Sequence, residues 1–208
     1  MKSQLLPIFP EPIVEYRELG VDRERMETLY ARQEWKSTNA DDCADYFLQI
    51  GRNLKVLDDE RDLQKIFVDI INQYTTGFMK YENEFYMTTS WFTRTEANKI
   101  SVLHNHGNAM FSAVYYFGLE GNNKSKITFE KPVAPQFDLK PTSYNALNGP
   151  SYIFELGNDS LLIFPSYLRH KVNRHEYREI RKSLAMNFIP KGVIGQDTNE
   201  IYLSGPPG

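Results

Sequence analysis

Four histidines occur in this 208-residue chain, and two of them stand two apart in ISVLHNHGNAMFSAVYYF, residues 100–117. In an extended chain alternate side chains share a face, so Ile100, Val102, His104 and His106 are predicted to point the same way. Two imidazoles side by side on one face make half of a metal site, and imidazole suits Zn, Fe, Cu or Ni. A third, His170, follows the apolar run SLLIFPSYLRH, just past Pro165. A lone histidine would read as an ordinary core or surface residue. A pair on one face with a third behind a later strand reads as a metal site of His104, His106 and His170. His175, in the charged run NRHEYREIRK, reads as a solvated loop residue.

A second oddity follows in RKSLAMNFIP. Alternation gives Arg181, Ser183, Ala185 and Asn187 one face and Lys182, Leu184, Met186 and Phe188 the other. An inward arginine needs an anion. Its planar fork suits a carboxylate, to which a serine hydroxyl can add a hydrogen bond. Read alone, the strand leaves open whether Arg181 and Ser183 face the interior or solvent.

The elements that would position these residues fall into two textures. Residues 22–33 and 62–79 read as helices; in the second, Leu63, Phe67, Ile70, Ile71, Tyr74 and Phe78 follow the helical template. From about residue 84 the runs are short, aromatic and β-branched: FYMTTSWFTRT, KISVLHNH, FSAVYYFGL, SKITFE, SYIFEL, SLLIFPS and KSLAMNFI all read as strands. Turn signals EGNNKS and ELGNDS separate some of them. Residues 131–150 read as a long connection over one end of the fold. The expected organisation is a single domain: a mainly helical support region over 1–83, a jelly-roll core over 84–190 and a loosely packed tail over 191–208.

Composition narrows the class. Twenty-four Lys and Arg against 27 Asp and Glu give a net charge of -3, which indicates neither a nucleic-acid partner nor a membrane surface. Cys43 is the sole cysteine, so no disulfide framework exists and a reducing, cytoplasmic compartment fits. The opening MKSQLLPIFPEPIVEY does not read as a signal peptide, its apolar run being broken by Pro7 and Pro10. A homodimer is compatible with this composition, and neither oligomeric state nor substrate is legible.

The order of these features resembles the iron(II)- and 2-oxoglutarate-dependent oxygenases, whose fold is a double-stranded β-helix. More closely, His104-Asn105-His106, FSAVYYF, GNDSLLIFPSYLRHKV and RKSLAMNF resemble an oxygenase family common in phages and marine bacteria, over about residues 90–190, with a weaker echo at LLPIFPEPIV. The resemblance implies mostly β-structure with N-terminal helices and the cofactors Fe(II) and 2-oxoglutarate. It implies iron ligation by His104 and His170, and a C5-carboxylate site made by Arg181, Ser183 and Tyr116, with Tyr115 on the opposite face. Asn187 would stand behind the iron ligands or approach the cosubstrate. The implied activity is a dioxygenase that couples decarboxylation of 2-oxoglutarate to C–H oxidation, in the host cytoplasm if phage-encoded.

The chain departs from the superfamily at one point: position 106 is histidine where a carboxylate is usual. Three neutral imidazoles leave an Fe(II) site at +2 rather than +1, which bears on potential and anion affinity. His106 is taken as the third ligand, with Glu130 and Asp159 as the alternatives. Trp91, Phe111 and Phe129 are candidates for cavity walls, ordinary core packing being the competing reading, and 131–150 is a candidate cover. Two other functions stay open: a cupin-like three-histidine metalloenzyme without 2-oxoglutarate, and a non-catalytic β-sandwich.

Overall fold

A computed structural model describes residues 3–5, 8–37, 48–133, 137 and 139–205. Its elements are β1 (Val14–Arg17), α1 (Arg23–Ala31), β2 (Trp35–Ser37), β3 (Leu48–Gly51), α2 (Arg61–Gly77), β4 (Phe85–Thr95), β5 (Phe111–Phe117), β6 (Ser125–Glu130), β7 (Ser151–Leu156), β8 (Ser160–Pro165), β9 (His170–Val172), β10 (Arg181–Pro190), β11 (Gly192–Ile194) and β12 (Ile201–Leu203). Seven strands form the major sheet in the order β1-β8-β5-β10-β4-β3-β2, and β7-β6-β9 form a smaller facing sheet. This is the mostly β, double-stranded β-helix architecture. Cys43 lies outside the described residues.

The central strands β5, β8 and β10 of the major sheet bury both faces. Phe111, Ala113, Tyr115 and Phe117 of β5, Leu161 and Ile163 of β8, and Leu184, Met186 and Phe188 of β10 pack in one cluster with Met26 and Leu29 of α1 and with Leu63, Phe67, Ile71 and Tyr74 of α2. Their alternate neighbours Val114, Tyr116, Leu162, Phe164 and Ala185 join Ile127 and Phe129 of β6 between the two sheets. The helices therefore cover one face while the other encloses an interior, as the strict alternation in β5, β8 and β10 requires. Asp22 caps α1 by accepting from Arg25 N at 3.0 Å. Asn72 clamps α2 to the start of β4, exchanging two hydrogen bonds with the Phe85 backbone.

One irregularity decides which residues of β4 face inward. The register with β10 shifts between Asn187 and Phe188: Asn187 faces Thr89, but Phe188 faces Met87. Thr88 is the extra residue of a β-bulge, and a one-residue insertion exchanges the faces of a strand. Phe85 and Met87 thus pack toward the helices, whereas Thr89, Trp91 and Thr93 line the interior.

Several expectations are corrected. The region before residue 84 contributes β1, β2 and β3 to the major sheet as well as two helices. The tail forms a β11–β12 hairpin. Residues 99–106 are not a continuous strand: they pair through isolated bridges such as His104 with His170. Val172 N donates to the Ser101 hydroxyl at 2.7 Å, so a side chain takes the place of a ladder carbonyl, and the segment is bounded by left-handed Asn98 (φ 64) and Asn108 (φ 56). Val102 is 46% exposed rather than buried. Among the described residues no helix is long and apolar enough to cross a membrane.

Candidate metal centre

Each of the three histidines is placed by discrete bonds. His104 and His170 exchange backbone hydrogen bonds, His104 N to His170 O at 2.9 Å and His170 N to His104 O at 2.7 Å. The His106 amide donates to Ser166 O at 2.9 Å, which carries the chain across to the end of β8. One ring nitrogen from each of His104, His106 and His170 can be chosen so that all lie within 4.8 Å of one another. Phe164 and Phe129 wall in His170 at ring separations of 4.8 and 5.5 Å, and Trp91 lies 5.7 Å from His106.

The far nitrogen of each ring is occupied. His104 Nδ1 contacts Val102 O at 2.8 Å and His170 Nδ1 contacts Leu168 O at 2.9 Å. A carbonyl only accepts, so Nδ1 carries a proton, and in the neutral ring Nε2 keeps its lone pair. His106 Nδ1 lies 2.8 Å from Asn187 Oδ1 and 2.9 Å from Ser112 Oγ. Burial, reinforced by the neighbouring His104, pushes the pKa of His170 down to about 3, and burial also lowers that of His106. Neutral imidazoles at physiological pH are what a divalent ion requires.

The histidines open onto a cavity of about 590 Å³, whose lining also includes Arg181, Ser183, Ala185 and Asn187 of β10 and Thr89, Trp91 and Thr93 of β4. Arg181 is 2% exposed. Its Nε donates to Ser125 Oγ at 2.6 Å, its Nη1 reaches Thr93 Oγ1 at 3.4 Å, and the guanidinium stacks over the Tyr116 ring at 5.0 Å. Among the described residues no carboxylate pairs with it. Ser183 Oγ lies 2.6 Å from Thr93 Oγ1. The hydroxyls of Tyr116 and Thr95, the latter facing Arg181 across the β4–β10 register, are buried with no hydrogen-bond partner. Burial raises the pKa of Tyr116, against the pull of Arg181. A buried cation without an anion, beside two unsatisfied hydroxyls, is a costly arrangement that a bound carboxylate would satisfy.

The alternatives to His106 lie elsewhere. Glu130 pairs with Arg169 at 3.3 Å, 43% exposed. Asp159 accepts from Tyr115 Oη and from Gly20 N, both at 2.8 Å. Neither lines the cavity, and no Asp or Glu does among the described residues. Of the aromatic candidates, Trp91 lines the cavity, Phe129 backs His170, and Phe111 belongs to the helix-side core. No described residue of 131–150 lines the cavity. Sequence reasoning missed Ser112, Ser166, Thr93 and Ser125. Ser112 was within reach of the alternation, since it shares the inward face of FSAVYYF with Tyr116.

His175 is not solvated. It is 3% exposed, its Nε2 donates to Glu179 O at 2.6 Å, and its backbone exchanges hydrogen bonds with Asn98 and Lys99. Burial lowers its pKa, and Arg181 adds to the effect. A base whose folded pKa lies below its unfolded value of about 6.5 contributes stability that is complete above that value. That contribution is lost as pH falls past it toward the folded pKa. His106 and His170 act in the same direction in the metal-free protein. Metal-free protein is therefore expected to lose thermal stability from about pH 6.5 downward. His175→Gln, compared by calorimetry across pH, should flatten that dependence; an unchanged dependence would contradict this role.

Comparisons with known proteins bear on the family and the fold. Residues 89–187 match the profile of the family described as "Putative 2OG-Fe(II) oxygenase". A structure from Burkholderia pseudomallei, an oxidoreductase of the 2OG-Fe(II) oxygenase family, superposes with a TM-score of 0.60 at 14% identity, covering 85% of this chain and 84% of that one. HygX from Streptomyces hygroscopicus, solved with nickel, 2-oxoglutarate and hygromycin B, gives 0.58 at 10% identity, covering 86% and 83%. A Pseudomonas putida prolyl-4-hydroxylase gives 0.53 at 15% identity, covering 86% and 92%. No curated protein matches the sequence. Over residues 89–187 the chain is thus similar to that oxygenase family, and these structures share its fold.

Proposed function

We propose that this protein is an Fe(II)- and 2-oxoglutarate-dependent dioxygenase that hydroxylates a C–H bond of its substrate. His104, His106 and His170 hold the iron, each through Nε2. Arg181 binds the C5 carboxylate of 2-oxoglutarate, helped by the Tyr116 hydroxyl and by Ser183. The observation that carries this reading is the buried, unpaired Arg181 in the same cavity as three converging imidazoles.

When bound, iron and 2-oxoglutarate supply the oxidising chemistry, decarboxylation coupled to C–H oxidation. The chain's own residues orient and exclude. Arg181 fixes one end of the cosubstrate, so that its other end is directed at the histidines. Phe164, Phe129 and Trp91 keep the histidines dry on the protein side. The remaining walls include Leu48, Ile50, Leu54 and Val102, with Leu54 and Val102 42% and 46% exposed at the rim. With Arg181 committed to 2-oxoglutarate, no charged side chain among the described residues lining the cavity is left to pair a buried ionic group, which favours an uncharged reacting part of the substrate.

A three-histidine enzyme without 2-oxoglutarate is the second reading, favoured by the donor set alone. Calorimetric titration of 2-oxoglutarate into Ni(II)-loaded protein separates the two. Tight binding, with succinate competing more weakly, supports the first; no heat of binding would favour the second.

A further inference from the structure

We infer that Asn187, with Ser112 and Ser166, is the positioning network that selects the metal-binding tautomer of His106. The inference rests on the proposed three-histidine site, and concerns the one ligand at which this chain departs from the usual carboxylate. A carboxylate has no tautomer to fix. A histidine does: only if Nδ1 holds the proton is Nε2 free to bind a metal.

His104 and His170 solve this locally. Each sets its Nδ1 against the backbone carbonyl two residues earlier, Val102 O and Leu168 O. His106 makes no such contact with His104 O, the carbonyl two residues earlier, which takes the His170 amide at 2.7 Å. His106 turns instead to side chains from two strands of the major sheet. Asn187 Oδ1 lies 2.8 Å from its Nδ1 and Ser112 Oγ 2.9 Å. Ser112 Oγ is also 2.8 Å from Asn187 Oδ1 and 2.8 Å from Ser166 Oγ.

In this amide orientation the contact between His106 Nδ1 and Asn187 Oδ1 requires a proton on Nδ1, which Ser112 Oγ can share. Asn187 Oδ1 has no proton, so His106 Nδ1–H donates to it, as Ser112 Oγ–H can, with Ser166 Oγ–H then donating to Ser112 Oγ. Ser112 and Ser166 are each wholly buried, so water does not compete. Ser166 also accepts the His106 amide through its carbonyl, which ties ring and backbone to the same residue. If the amide were reversed, Asn187 Nδ2 would donate to Nδ1, the proton would move to Nε2, and His106 could not be a ligand.

The test reads the tautomer first and the metal second. In metal-free protein labelled with ¹⁵N-histidine, the two-bond ¹H–¹⁵N spectrum of His106 should show Nδ1 protonated and Nε2 bare. A spectrum with Nε2 protonated would overturn the inference whatever metals bind. Zn(II) titration then follows for wild type, Asn187→Leu, Asn187→Asp and Ser112→Ala. Loss of the acceptor in Asn187→Leu should weaken Zn(II) binding by roughly 10- to 100-fold. Asn187→Asp, which keeps an acceptor at the same place, should restore it, and Ser112→Ala should cost less than Asn187→Leu. Equal affinity in wild type and Asn187→Leu, or an Asp variant no better than the Leu variant, would overturn the inference. The expected tautomer in a wild type that binds no divalent metal would instead overturn the three-histidine reading and leave the network standing.

Discussion

Arg181→Leu is expected to weaken 2-oxoglutarate binding by two or more orders of magnitude while leaving the metal-free protein folded. Arg181 is 2% exposed and, among the described residues, meets hydroxyls and an aromatic face but no carboxylate. Truncating one partner of a buried charge pair costs about 3–5 kcal/mol, because the other charge is left uncompensated. Applied to the cosubstrate, this predicts a loss of affinity of roughly 10²- to 10⁴-fold. The same substitution in metal-free protein removes a buried cation that has no anion. Its cost is confined to the hydrogen bonds given to Ser125 and Thr93, each worth about 1 kcal/mol. Two measurements make the case: the Kd for 2-oxoglutarate on Ni(II)-loaded protein, and Tm without ligands. A variant that unfolds without ligands would mark Arg181 as structural. A variant that binds 2-oxoglutarate normally would remove it from the site.

The second large effect is expected at the histidines. His104→Ala, His106→Ala and His170→Ala should each weaken Fe(II) or Zn(II) binding by more than about 100-fold, the upper range for loss of a mere outer partner. The informative member is His106→Ala. Glu130 is paired with Arg169, and Asp159 is engaged with Tyr115 and Gly20, so neither is available to take over. If His106→Ala binds metal as tightly as wild type, the third ligand is not His106. His106→Asp should keep a metal site and lower its charge from +2 to +1. The Fe(III)/Fe(II) potential should therefore fall, since the added anion favours the more highly charged ion.

How far the sequence discloses this site depends on what each residue's position rests on. β10 is legible because its alternation is unbroken: Leu184, Met186 and Phe188 pack toward the helices while Arg181, Ser183, Ala185 and Asn187 line the cavity. β5 and β8 are legible for the same reason. The segment carrying His104 and His106 is not. Its pattern alternates like a strand, yet the Ser101 hydroxyl replaces a ladder carbonyl, and isolated bridges rather than a continuous ladder hold the chain in place. The β4 bulge at Thr88 leaves no mark in the composition of FYMTTSWFTRT but settles which residues face inward. His175 reads as solvated because its neighbours are charged; its burial comes from Glu179 O and the 98–99 backbone, which only the fold brings near. Short strands such as β1, β2 and β3 owe their existence to partners far along the chain, β8 and β4 among them, rather than to local pattern.

The central claim is that one cavity binds a metal through three histidines and 2-oxoglutarate through Arg181. Anaerobic addition of Fe(II) to the metal-free protein, followed by 2-oxoglutarate, tests it most directly through the visible charge-transfer absorption of the iron(II)–2-oxoglutarate chelate. The account predicts that this band appears in the wild type, saturates at one equivalent of iron, and is lost in both His106→Ala and Arg181→Leu. Iron that binds without any such band on adding 2-oxoglutarate would contradict it.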